Sequence, residues 1–178
     1  AGGGGGIEGG EEGVDAAATP RAKEERPPES PELERVAALP LPERFKAVSE
    51  LEGRPGEFAR EYLLRFSHYV LQRTPEIAYD LVSVDRGMEW GYAWEAGPFK
   101  QMDMLGAAFL KSGFGANGLD SPPLLEKAKD GFYRDSGKDQ LFLTNDGSYA
   151  SVPEVPGSIH LALERRRRPV LATSRGAS

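Results

Sequence analysis

Two histidines, His68 and His160, are the first side chains to weigh for acid–base or metal chemistry, and there is no cysteine. The missing thiols exclude a disulfide framework, a zinc–thiolate site, an iron–sulfur cluster and a cysteine nucleophile together. Neither histidine has a second histidine at ligand spacing, so a metal site would need carboxylates for most of its ligands. A general base needs a defined partner, and the sequence shows none for either ring. Both histidines therefore read as structural or surface residues. Asp80, Asp85, Glu89 and Glu95 could supply paired carboxylates, and Asp85 and Glu89, four apart, share a helix face. Arg86 and solvent account for them equally well, so the reading is a solvated polar face. Ser67 and His68 are adjacent and point in different directions on a helix, and no G-x-S-x-G elbow exists. The glycines from Gly4 to Gly9 spell G-x-G-x-x-G, but a phosphate loop needs a strand before it and a helix after it. Here the pattern reads as linker. The run Arg165 to Arg168 has no interleaved aromatics, and basic residues in a last helical turn are favoured by the macrodipole. No residue is assigned a catalytic, cofactor-binding or metal-binding role.

The elements that position these residues follow from periodicity. Leu41, Phe45, Val48 and Leu51 recur at helical steps, with Gly53 placed as a C-terminal cap. Residues 57–73 form a stronger helix whose apolar stripe is Phe58, Tyr62, Phe66, Tyr69 and Val70. Thr74 and Pro75 end it and start the next, over residues 75–90, with Ile77, Leu81, Val84 and Met88 inward. An aromatic loop with Tyr92 and Trp94 leads to Pro98, which opens a short helix closed by Gly106. Residues 107–121 are weakly patterned, and another short helix spans residues 124–130. The period then changes to that of strands at 140–144 and 148–152, around the hairpin turn Asn145-Asp146-Gly147. Ser158 caps a last helix that Pro169 stops.

The expected architecture is mainly α, a small helical bundle with one short β-hairpin near the C-terminus. Its divisions are a Gly/Pro/Glu-rich disordered linker at 1–35, a helical domain at 40–135, and a hairpin, short helix and strand at 136–178. Residues 1–35 hold 9 acidic and 4 basic side chains of the chain's 28 and 22, so most of the net charge of −6 sits in the linker. The near-neutral remainder argues against a general nucleic-acid surface. With 178 residues and no apolar run of membrane length, the chain reads as soluble and cytoplasmic, with room for one sizeable core.

One stretch carries a family signature: Asp85, Gly87, Met88, Trp90, Gly91, Trp94, Glu95, Gly97, Pro98, Phe99, Asp103 and Gly106. It resembles the pattern D-x-A-M-x-W-G-x-x-W-E-x-G-P-F-x-x-x-D-x-x-G of the helical C-terminal domain of NAD-dependent 3-hydroxyacyl-CoA dehydrogenases. Gly87 stands where the family has Ala, a mild helix penalty. Residues 131–133, the hairpin and residues 152–157 look like the junction in long bacterial dehydrogenases fused to an enoyl-CoA hydratase module. The resemblance covers residues 40–178, is strongest over 75–106 and is poor over 107–130.

The resemblance implies a helical bundle of the 6-phosphogluconate-dehydrogenase-C-terminal-like type, with Val170 to Ala172 a strand leading toward a module not in this chain. It implies an oxidoreductase of fatty-acid β-oxidation as parent enzyme, with NAD as its cofactor and acyl-CoA as its substrate. No position here matches the family's His–Glu pair or its phosphate-binding glycine loop. The chain is therefore expected to lack the Rossmann domain, to hold no cofactor itself and to be inactive alone. Its partners would be that domain and the first helical repeat. Trp90, Trp94, Gly97, Pro98, Phe99 and Asp103 read as a packed aromatic corner between two helices. The rival reading is a non-enzymatic interaction module of the same fold, binding through that corner or the arginine run.

Overall fold

The computed structural model describes residues 31–137 and 139–157. His160, Arg165 to Arg168, the expected helix after Ser158, the strand at Val170 and the Gly4 to Gly9 pattern lie outside the described residues. Seven helices precede a three-stranded antiparallel sheet among the described residues. The helices are α1 (Pro31–Ala37), α2 (Leu41–Glu50), α3 (Gly53–Ile77), α4 (Leu81–Gly91), α5 (Pro98–Leu105), α6 (Ala107–Ala116) and α7 (Pro123–Lys127). The strands are β1 (Tyr133–Ser136), β2 (Asp139–Leu143) and β3 (Tyr149–Ser151), with β2 in the centre. The protein is thus mainly helical with a small antiparallel sheet. Helix α1 takes in residues 31–35, which the sequence placed in the linker. No described helix is long and apolar enough to cross a membrane.

The longest departure from the sequence reading is α3, which continues through Thr74 and Pro75 to Ile77, 25 residues in all. A proline costs a helix one hydrogen bond and crowds the carbonyl four residues back. Here it falls in the last turn, where Leu71 and Thr74 are each 1% exposed and tertiary packing holds the turn in place. Thr74 is therefore an interior residue of α3, not a cap. The next helix starts at Leu81, and Asp80 is its cap: the carboxylate accepts the Ser83 N–H at 2.7 Å. Ile77, expected inward, is exposed. Gly53, expected to close α2, instead opens α3.

The face α3 buries meets the expected stripe only at Val70, with Phe66 partly buried against the core. Leu63, Leu64, Ser67, Val70, Leu71 and Thr74 point inward. Phe58, Tyr62 and Tyr69 are exposed. At 3.6 residues per turn the two stripes lie roughly 140° apart around the helix. Helix α6 fills the stretch that showed no clear pattern. Its Gly113 lies so close to α3 that an added Cβ would stand 2.4 Å from the Leu64 side chain, so a larger residue there requires Leu64 to repack. Leu110 and Phe114 of α6 are fully buried.

The core joins α3 to α7 with the sheet through Leu71, Leu81, Phe99, Met102, Phe132 and Leu143 among others. Each large apolar side chain removed from water contributes roughly 1.5–3 kcal/mol. The hairpin formed as expected, with Leu143 opposite Tyr149. Asp146 closes its turn by accepting the Ser148 N–H at 2.9 Å and the hydroxyls of Thr144 and Ser148. Those bonds hold its carboxyl down at about 2. Strand β1, which the sequence did not indicate, pairs Tyr133 with Phe142 and makes the hairpin a sheet.

Candidate functional site

The carboxylates that read as a solvated face form the most buried polar cluster among the described residues. Asp85, on α4, is 0% exposed. Its Oδ1 accepts the Phe99 N–H at 2.8 Å and its Oδ2 the Lys100 N–H at 3.2 Å. These are amides of the first turn of α5, which have no partner inside the helix. Pro98 at the start of that helix has no N–H to satisfy, and the negative charge meets the positive end of the helix dipole. The approach is close enough that a Cβ on Gly97 would lie 2.4 Å from the Asp85 Cα and Cβ. Only glycine fits there.

Glu89, one turn along α4, completes the joint. Its Oε1 accepts the Gly97 N–H at 2.7 Å, and the Lys100 ammonium bridges both its oxygens at 2.7 and 2.9 Å. At the other end of α5, Asp103 accepts the Phe132 and Tyr133 N–H groups at 2.7 and 2.8 Å and so fixes the start of β1. The Phe99 and Phe132 rings meet edge to face at 5.1 Å beneath these bonds. Tyr149 ties in the hairpin by donating its hydroxyl to the Gly131 carbonyl at 2.6 Å. Helix α4, helix α5 and the sheet are therefore joined by three carboxylates, Asp85 and Glu89 between the helices and Asp103 between α5 and β1.

Burial sets the acidity of this cluster. It pushes the Asp85 carboxyl up to about 7 against the Phe99 N–H, which favours the anion. Burial likewise raises Asp103 to about 6 despite the amides of Phe132 and Tyr133. The Tyr133 phenol is held well above its usual range by burial and by the negative charge of Asp85. Asp85 is near enough to act on that phenol electrostatically, yet no hydrogen bond of normal geometry reaches the buried Tyr133 hydroxyl. A carboxyl that titrates near neutrality beside a phenol has the acidity of a general base. With Asp85 wholly buried and both oxygens taken by backbone amides, no substrate reaches it. The arrangement fastens helices together.

The remaining candidates are dispersed. Asp80 is a helix cap, and the exposed Glu95 pairs with Arg44 at 2.8 Å. His68 sits edge-on to Phe114 and its Nε2 lies 3.1 Å from the Asp120 carbonyl and 3.2 Å from its carboxylate. That partner is 52 residues away, beyond any spacing rule. Among the described residues no group of three or more His, Cys, Asp and Glu could hold a metal ion. The expected aromatic corner is only partly packed: Phe99 is buried, Trp94 leans on Phe66 at 5.8 Å, and Trp90 and Tyr92 are exposed. Lys100 and Tyr133 belong to the joint; Lys100 was not singled out in the sequence, though it directly follows the Gly97-Pro98-Phe99 run, and Tyr133 entered only within the 131–133 stretch of the resemblance, with no role given to its side chain.

The open apolar space lies elsewhere, on α3. A cavity of about 510 Å³ is lined by Phe58, Tyr62, Phe66 and Tyr69 with Glu61 and Arg65. A second, of about 270 Å³, runs between α2 and α3 past Phe45 and Val48. They share Phe58 and Tyr62, and Arg44 lines the second.

No family model matches the chain, and no solved structure matches it significantly. Over 140 residues it is 29% identical to a probable 3-hydroxyacyl-CoA dehydrogenase of Bacillus subtilis (strain 168). That match covers 76% of this chain and 18% of the relative, so the chain spans under a fifth of the protein it resembles. The chain is similar to one limited stretch of a 3-hydroxyacyl-CoA dehydrogenase.

Proposed function

We infer that this chain is the C-terminal helical portion of an NAD-dependent 3-hydroxyacyl-CoA dehydrogenase of fatty-acid β-oxidation. Its task is to pack against the remainder of that enzyme, the Rossmann domain and first helical repeat, and to help close the acyl-CoA cleft. The observation that carries this reading is the 29% match over 140 residues. Support comes from the joint itself: Asp85, Gly97, Pro98, Phe99 and Asp103, all positions of the resembling motif, are the residues that fasten α4, α5 and β1.

The described residues do not fit a nicotinamide dinucleotide. The first amides of α5 are already taken by Asp85, and no described glycine loop joins a strand to a helix. On this reading hydride transfer belongs to another part of the parent enzyme. The purified chain should show no oxidation of NADH with acetoacetyl-CoA, and sustained turnover by a contaminant-free preparation would overturn the reading. The coding DNA on both sides should carry, in frame, a glycine-loop domain upstream and a hydratase module downstream. Their absence would leave the second reading, a non-enzymatic interaction module, which the exposed aromatic groove on α3 favours.

A further inference from the structure

We propose that Asp85 and Tyr133 form a proton-operated latch between α4 and β1. Loss of the Asp85 proton draws the Tyr133 hydroxyl into a hydrogen bond with the carboxylate. Asp85 is wholly buried, yet among the described residues no ammonium or guanidinium forms an ion pair with it. Three carboxyls, Asp85, Glu89 and Asp103, surround one ammonium, that of Lys100, which binds both oxygens of Glu89. Arg86, next along α4, donates to the Pro153 carbonyl at 2.6 Å and lies 5.2 Å from the Trp90 ring. Strand β2 also packs on α4, and its one titratable residue, Asp139, is exposed. A buried carboxyl with no counter-ion in contact holds its proton more firmly than one in water.

The phenol completes the pair. The Tyr133 hydroxyl is buried and has no hydrogen-bond partner of normal geometry, although the Asp85 carboxyl is beside it. A buried hydroxyl left unpaired is costly, and a phenol can donate as well as accept. Burial and the negative charge of Asp85 keep the phenol protonated, so Asp85 is the partner that titrates and Tyr133 the one that donates. Opposing influences meet at that carboxyl. Burial and the neighbouring Glu89 favour the acid, while the Phe99 and Lys100 amides at the positive end of α5 favour the anion. The balance falls at about 7. On ionisation the proton passes to solvent and the phenol turns its O–H onto the carboxylate, which offsets part of the cost of the buried charge. Asp103 holds the Tyr133 N–H at 2.8 Å, and the Lys100 ammonium lies 5.8 Å from the ring, so the phenol swings about a pinned backbone. The latch is a side-chain movement within a folded joint.

This latch requires nothing of the dehydrogenase reading, and its failure would leave that reading standing. Heteronuclear NMR of the full chain, carbon-labelled at the Asp carboxyls and the Tyr Cζ atoms, tests it. The Asp85 carboxyl should titrate near neutrality, and the Tyr133 Cζ shift should follow the same midpoint. Tyr133→Phe removes the hydroxyl alone and should raise the Asp85 midpoint by about half a pH unit or more, because the anion loses its donor. Glu89→Gln keeps an acceptor for the Gly97 N–H and should lower that midpoint, because a negative neighbour is gone and Lys100 is released. Asp85→Asn should leave the Tyr133 shift flat with pH. Should that variant fail to fold, the parent titration and Tyr133→Phe decide the matter. A Tyr133 shift that ignores the ionisation of Asp85, a midpoint that Tyr133→Phe leaves in place or lowers, or one that Glu89→Gln does not lower would each overturn the proposal.

Discussion

The joint around Asp85 and the aromatic face of α3 invert one another. In the first, carboxylates sit inside the protein; in the second, three aromatic rings sit outside it. Both rest on α-helices with good amphipathic spacing, so periodicity alone does not separate them. The joint is held because every carboxylate oxygen of Asp85 and Asp103 finds a backbone amide, which offsets much of the desolvation that burial imposes. The α3 face stays open because an equally regular aliphatic stripe on the same helix takes the core position. Buried, hydrogen-bonded carboxyls thus mark where the fold is fastened, while the rings of α3 stay outside the core.

The sharpest way to break the contrast is to crowd the joint. Gly97→Ala puts a Cβ onto the backbone of Asp85 and should cost about 3 kcal/mol or more, read as a lowered Tm or failure to fold. Asp85→Ala leaves the buried Phe99 N–H and the partly buried Lys100 N–H without an acceptor and should cost about 2 kcal/mol in denaturant titration.

A pH series sharpens the same comparison. The folded carboxyls of Asp85 and Asp103, at about 7 and about 6, bind protons more tightly than in the unfolded chain, where the ordinary value is 3.8. Stability from these groups is therefore fully present below about pH 4 and is lost as pH rises toward 7, by up to about 1.4 kcal/mol per pH unit for each carboxyl. Asp146, held at about 2, acts in the opposite sense only below this window. Asp85→Asn should flatten the slope between pH 5 and 7. An unchanged slope would show that Asp85 does not titrate there.

Smaller effects belong to the loop and the open face. Ala93 holds a left-handed φ of 56° just after α4, so Ala93→Gly should stabilise by about 0.5–1 kcal/mol in thermal melts. Tyr69→Ser on the α3 face should change the stability of the dilute chain by no more than about 0.5 kcal/mol. A larger loss would mean that the face belongs to the core.

Much of the fold was legible from local chemistry. The turn Asn145-Asp146-Gly147, the opening of α5 at Pro98 and the existence of α2, α3 and α4 all follow from residues acting within a few positions of themselves. The chemistry of the joint was half legible. Asp85 and Glu89 were noticed as a pair, but their spacing is the same on a wet face as on a dry one. Their partners lie in α5, and the joint's other end is at residues 132–133. Helix α6 went unread because its glycines weaken the apolar pattern, and Gly113 has its reason only in the neighbouring Leu64.

By itself, then, the sequence determined the helical class, the hairpin turn and the absence of thiol chemistry, since each depends on side-chain type or near-neighbour geometry. Only the tertiary structure decided that α3 runs through Pro75, which of its two stripes is buried, and that Asp85 is a buried clasp. Those outcomes depend on which surfaces compete for the same core. A hydrophobic stripe or a pair of carboxylates gains its meaning only when something far away in the chain arrives to cover it.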